Sequence, residues 1–199
     1  MNSVAELGPE GVRRAFVALP APPGLVTELT RAGREWRDLD ADIRWTDPAL
    51  AHLTLRFLGP ARRPAIEALD QRLRSIAAVT APVTLRAQVT GAFPGWRRAR
   101  ILWLGLEAPD LTPLARAIEE ATRAAGFPAE EREFTPHLTL GRVRRSGELG
   151  REVEIVRGWQ PRGGPETVGE FVLFRSELGS AGPRHTPIET YALTGKPVT

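Results

Sequence analysis

Pro136-His137-Leu138-Thr139-Leu140-Gly141-Arg142 decides the fold, because it has an echo at Ala51-His52-Leu53-Thr54-Leu55-Arg56. The chain has three histidines, and two of them open the same His-Leu-Thr-Leu tetrapeptide. The copies are separated by 137 − 52 = 85 residues. Each alternates polar and apolar residues, the period of a half-buried strand. Residues i and i+2 of a strand share a face. His52 and Thr54 therefore point one way while Leu53 and Leu55 enter a core, and His137 and Thr139 repeat the pattern. Two strands that each offer an imidazole and a hydroxyl point to one symmetric polar cleft.

The chain around the repeat reads as α+β. A strand over 14–19 ends at Pro20, and a helix is expected over 25–39. A short strand, 43–45, precedes the first motif strand, 52–58, and a second helix follows over 64–78. Residues 83–93 alternate apolar and polar residues through Val83, Leu85, Ala87 and Val89, so a strand is expected. The Trp96-Arg97-Arg98 loop leads to a strand over 100–106, then to a third helix with Thr112 as N-cap, Pro113 at its first position and Gly126 past its end. The segment 130–133 reads as a solvated connector, 148–156 as helix or strand, 167–176 as a strand, 180–187 as a polar loop carrying a solvated His185, and 189–193 as the last strand. Several strands follow one another without a helix between them, which favours antiparallel sheets over a doubly wound parallel one.

Composition narrows the chemistry. With 199 residues the chain fits one domain or two small lobes, and at 42% hydrophobic residues it can fill a core. No cysteine is present, which removes disulfides, thiolate ligands and thiol nucleophiles. The first ten residues hold two acids and no base, so no secretory leader is expected, and no apolar run reaches the ~18–20 residues of a membrane span. A cytoplasmic, membrane-free monomer is expected. Net charge is only +3, but 26 of the 27 basic residues are arginine, whose planar fork suits phosphate. A GC-rich coding sequence would produce the same bias, so the overall charge does not by itself indicate nucleic acid.

Two imidazoles facing one cleft suit paired acid–base catalysis, one accepting a proton while the other gives one. Neutral threonine hydroxyls beside them suit an anionic phosphorus centre. Two histidines are too few ligands for a metal, and neither His-x-His nor His-x-x-x-His occurs, so no metal or other cofactor is expected.

With these flanks the chain resembles the 2H phosphoesterase superfamily, and within it the RNA 2′,3′-cyclic phosphodiesterases, also called 2′-5′ RNA ligases. The likeness rests on Arg14-Ala15-Phe16-Val17-Ala18, His52 to Gly59, Gly91-Ala92-Phe93-Pro94, Ile101 to Gly105, Thr135 to Arg142, and Leu173-Phe174-Arg175-Ser176 followed by Tyr191. The resemblance implies one two-lobed domain over 10–196, with a motif at 52–55 in one lobe and at 137–140 in the other. It implies pseudosymmetric antiparallel sheets, helices on the outer faces and a central cleft. It also implies metal-independent hydrolysis of an RNA 2′,3′-cyclic phosphate end to a 2′-phosphate, with reversible, ATP-independent 2′-5′ ligation by the same groups. His52 would be the proton donor and His137 the acceptor, with Thr54 and Thr139 on the phosphate oxygens. Arg142 is a further phosphate candidate, but at i+5 from His137 it needs a bulge or the strand's end to turn it to that face. Arg97, Arg98 and Arg100 beside Trp96 offer a patch for single-stranded RNA, while Phe16 and Phe57 are expected in the core. A small cyclic nucleotide such as ADP-ribose cyclic phosphate, or RNA-end binding without turnover, are the alternatives.

Overall fold

The structure is a computed structural model that describes residues 3–36, 38–39, 43–144, 151–179 and 182–196. Among the described residues, nine strands and four α-helices follow one another as β1 (Val12–Pro20), α1 (Pro23–Glu35), β2 (Ile43–Trp45), β3 (His52–Ala61), α2 (Arg63–Val79), β4 (Val83–Phe93), β5 (Ile101–Glu107), α3 (Leu111–Ala124), β6 (His137–Val143), α4 (Arg151–Gly158), β7 (Glu166–Val168), β8 (Glu170–Gly179) and β9 (Gly182–Ala192). The strands form one antiparallel sheet in the order β7-β4-β5-β6-β3-β1-β8-β9, with β2 paired to β6. The α+β reading holds.

The sheet consists of two lobes that meet at a narrow joint. Lobe one is β3-β1-β8-β9 and lobe two is β7-β4-β5-β6. Between them, β3 and β6 share the pair Leu53↔Leu138, both fully buried. The joint marks a local twofold axis. Leu19 pairs with Leu53 in lobe one and Leu104 pairs with Leu138 in lobe two. Both partners are 85 residues beyond their counterparts (104 − 19 = 85, 138 − 53 = 85). Continuing the antiparallel register by one residue sets His52 opposite Thr139 and Thr54 opposite His137.

A β-bulge repeats with the motif. In lobe one the register steps from Val17↔Arg56 to Ala18↔Thr54, skipping Leu55. In lobe two it steps from Leu102↔Gly141 to Trp103↔Thr139, skipping Leu140. An extra residue reverses the alternation beyond it. Leu55 and Arg56 are both buried, as are Leu140 and Gly141, and the next residues, Phe57 and Arg142, return to the histidine face. Residues 52–57 and 137–142 thus share one burial sequence.

Several expectations change. Helix α1 stops at Glu35, because Trp36 is buried against Trp45 (5.1 Å between ring centroids) and Trp159 (5.5 Å), which fixes the chain there. A register shift between Ala87 and Thr90 turns Val89 out, 57% exposed, and brings Thr90 in, where its hydroxyl donates to the Val156 carbonyl. Helix α3 takes Asp110 as its N-cap position, so Thr112 lies inside the first turn and Pro113 is the third helical residue. Proline is tolerated there because first-turn N–H groups have no intrahelical partner. Gly126 does end the helix, at φ 91°, with Gly126 N–H donating to Arg123 and Phe127 N–H to Thr122, a Schellman closure. The described part of 148–156 is helical, and 145–150 lies outside the described residues. The expected loop over 180–187 is largely strand: β9 begins at Gly182 and sets His185 opposite Ser176.

Helix α2 is tied to β9 where the Tyr191 hydroxyl donates to Asp70 (2.8 Å) and Arg74 pairs with Glu189. Helix α1 is tied to β7 and to the segment before it: Glu28 accepts from the Arg162 N–H, and the carboxylate of Glu166 in β7 accepts from the Gly24 N–H in the helix's first turn. No helix among the described residues is long and apolar enough to cross a membrane.

Candidate active site

Both motif histidines are anchored alike. His52 Nδ1 is 2.9 Å from the Leu50 carbonyl and His137 Nδ1 is 2.6 Å from the Thr135 carbonyl, each two residues upstream. A carbonyl oxygen only accepts, so each Nδ1 carries the proton and donates. Each Nε2 is then the nitrogen that gains and loses a proton, and the anchor fixes which way it points. Burial lowers the proton affinity of both imidazoles below the ordinary value, and the carbonyl anchors oppose that shift. At His52 the charges of His137 and Arg142 lower it further, so these groups act within one electrostatic site.

An open cleft of about 1570 Å³ runs past the joint, lined among others by Thr54, Phe57, Phe93, His137, Thr139 and Arg142. Its lining does not include His52, whose ring is packed among Phe16 (4.9 Å), His185 (5.1 Å, edge-on) and Phe174 (6.4 Å). His137 meets Phe93 edge-on at 5.1 Å and Trp103 at 6.1 Å. The Trp103 indole lies against Gly91, where a Cβ would come within 2.0 Å of the ring. Gly91 therefore makes room for the aromatic beside His137.

The sequence-predicted residues Thr54, His137, Thr139 and Arg142 come together in the cleft, with His52 across the joint. The bulge supplies the turn that Arg142 required. Phe57 is not core. It is 48% exposed and lines the cleft as the counterpart of Arg142, each five residues after its histidine. Phe16 is buried as expected, with one ring neighbour in His52. The connector 130–133 is more than a solvated loop: Glu130 pairs with Arg132 and with buried Arg56, which also holds Glu119 of α3 at 2.5 Å. His185 is half-buried against Phe16 and His52 rather than solvated. Burial and the neighbouring charges of His52 and Arg14 lower its pKa to about 4. Sequence reasoning missed Phe93, Trp103 and Phe174 as ring neighbours of the histidines. The available signal was Gly91, a small residue in a strand, which marks close approach of another group. Among the described residues, no group of three or more His, Asp or Glu side chains stands close enough to hold a metal ion.

The arrangement can move protons at two fixed Nε2 atoms and offers two hydroxyls and a guanidinium to an anion between them. Comparison with known proteins points the same way. The chain is 31% identical over 182 residues to an RNA 2′,3′-cyclic phosphodiesterase of Methanothermobacter thermautotrophicus, covering 90% of this chain and 98% of the relative. It is 30% identical over 188 residues to the protein of that name from Aquifex aeolicus, covering 92% and 99%. Among solved structures, E. coli LigT complexed with 3′-AMP superposes with a TM-score of 0.75 at 27% identity, covering 92% of this chain and 98% of LigT. The sequence profile of the 2′-5′ RNA ligase superfamily matches residues 25–179, and the chain belongs to that superfamily.

Proposed function

We propose that this protein hydrolyses the 2′,3′-cyclic phosphate at the end of an RNA to a 2′-phosphate, using His52 and His137 as an acid–base pair. One observation carries the reading. Two histidines, each with Nδ1 committed to a backbone carbonyl, stand on twofold-related strands either side of the Leu53–Leu138 joint. Hydrolysis needs a base on one side of phosphorus and an acid on the other, and this symmetry supplies them.

His137 takes a proton from water, whose oxygen attacks phosphorus. The bond from phosphorus to the 3′-oxygen breaks, and His52 gives that oxygen its proton. Thr54, Thr139 and Arg142 hold the non-bridging oxygens as charge grows on them. The assignment of donor and acceptor follows the family resemblance. With a 5′-hydroxyl in place of water the same forward steps, His137 taking the hydroxyl proton, the 5′-oxygen attacking phosphorus and His52 protonating the departing 3′-oxygen, join two RNA ends through a 2′-5′ bond without ATP.

The test is to incubate EDTA-treated protein with an oligoribonucleotide ending in a 2′,3′-cyclic phosphate and to identify the product by ³¹P NMR. A 2′-phosphate, formed at the same rate with and without EDTA, is expected. No turnover, a 3′-phosphate product or loss of activity in EDTA would overturn the proposal.

A further inference from the structure

Apart from exposed Arg116 on α3, the arginines lining the cleft fall into two groups. On the α3 side, Arg56 pairs with Glu119 and Glu130, and Arg132 pairs with Glu130. On the other side, Arg97, Arg98, Arg100 and Arg142 are all exposed and line the same cleft, and among the described residues none makes an ion pair or a side-chain hydrogen bond. The backbone brings these four into one strip. Arg142 pairs in register with Ile101, and the Val143 N–H donates to the Arg100 carbonyl, so Arg100 borders the end of β6. The Arg100 N–H in turn donates to the Phe93 carbonyl, closing the turn whose 3₁₀ segment, Trp96–Arg98, carries the other two. The strip thus leads from Arg142, whose charge is felt at His52, outward past Arg100 to Arg97 and Arg98.

Four neighbouring cations without acidic partners repel one another, and a polyanion relieves that repulsion. The exposed ring of Phe57 and the half-buried ring of Phe93 face the same cleft, and unpaired bases stack on such surfaces. We propose that this strip is a binding site for the single-stranded RNA leading away from the reacting end, its phosphates seated successively on Arg142, Arg100 and the Arg97–Arg98 turn. The inference rests on the proposed reaction and deepens it: the substrate is an oligoribonucleotide, and a free cyclic nucleotide leaves most of the site empty. The α3 side carries Glu119, Glu130 and Glu133, whose carboxylates disfavour a phosphate chain there.

The experiment measures binding, so it does not depend on turnover. Fluorescence anisotropy follows a labelled, unreactive oligoribonucleotide with a 3′-terminal phosphate, one to six nucleotides long, over a range of KCl concentrations. Affinity should rise with length. For the hexanucleotide, three seated phosphates give a log–log salt slope of about −2, or roughly a 20-fold loss of affinity between 50 and 200 mM salt. A triple variant, Arg97→Ala with Arg98→Ala and Arg100→Ala, should lose most of both the length gain and the salt slope. A control of equal net charge, Arg34→Ala with Arg72→Ala and Arg123→Ala, removes exposed arginines outside the cleft and should bind as the parent does. No gain with length in the parent, as for an enzyme of small cyclic nucleotides, would overturn the inference. So would an unchanged slope in the cleft variant, or an equal loss in the control. Failure of the proposed reaction would appear separately, as binding without hydrolysis of the cyclic-phosphate substrate.

Discussion

The two lobes place the same six-residue burial pattern around their histidines but surround them differently. In lobe one the neighbours of His52 are Phe16, Phe174 and His185, and the cleft-facing residue after the bulge is Phe57. In lobe two the corresponding residue is Arg142, and the approach to it carries Arg97, Arg98 and Arg100. The bulge residue differs as well. Arg56 turns inward to Glu119 of α3, whereas Gly141 leaves room for β2, a Cβ there lying 3.0 Å from Ile43 and Trp45. The backbone repeat therefore sets where the histidines stand, and the unlike flanks set what each can do. Aromatic rings flank both histidines, and lobe two adds the exposed arginines, which suits a substrate with bases to stack and a phosphate chain leading away on the lobe-two side.

The largest effect should come from the feature the lobes share. His52→Ala and His137→Ala should each lower kcat/KM by about 10²–10⁴-fold, the usual contribution of a positioned acid or base, with the circular dichroism spectrum unchanged. Retained activity in either variant would break the symmetry of the site. A smaller effect should come from a feature they do not share, the imidazole of His185, whose edge-on place beside His52 is taken at His137 by Phe93, also at 5.1 Å. In an NMR titration, His185→Ala should open the back of His52 to water and move its midpoint upward toward 6.5, leaving His137 in place. His185→Phe should restore the packing and the midpoint. The smallest effect is on stability. Folded His185 binds its proton near pH 4 rather than 6.5, so between those values the unfolded chain holds more protons and stability falls as pH falls. Thermal melts of His185→Phe should show a shallower decline over that window, and an identical decline would argue that His185 is solvated.

Much of this comparison was legible in the sequence. The repeated tetrapeptide, its spacing and its alternation identified the motif strands and the histidine face. What alternation cannot reveal is a bulge, because an extra residue shows itself only against the partner strand. That is why Phe57, expected in the core, and Val89, on the apolar side of its strand's alternation, are exposed, although a bulge is the device that Arg142 requires. The place of His185 was hidden for a different reason. Gly182, Pro183 and Pro187 read as loop, yet β9 is an edge strand, where proline costs no ladder bond on the open side. Its packing on His52 depends on β8 pairing with β1, a contact between the two ends of the chain.

The unequal roles of the two histidines are tested most directly by changing the leaving group. A 3′-deoxynucleoside 2′-(4-nitrophenyl phosphate) puts a stable anion where the 3′-oxygen departs, so the departing group no longer needs a proton. If His52 is the donor, His52→Ala should recover most of its lost kcat/KM on this substrate, while His137→Ala should stay as impaired as on the cyclic phosphate. Equal recovery in both variants, or recovery in His137→Ala alone, would contradict the assignment.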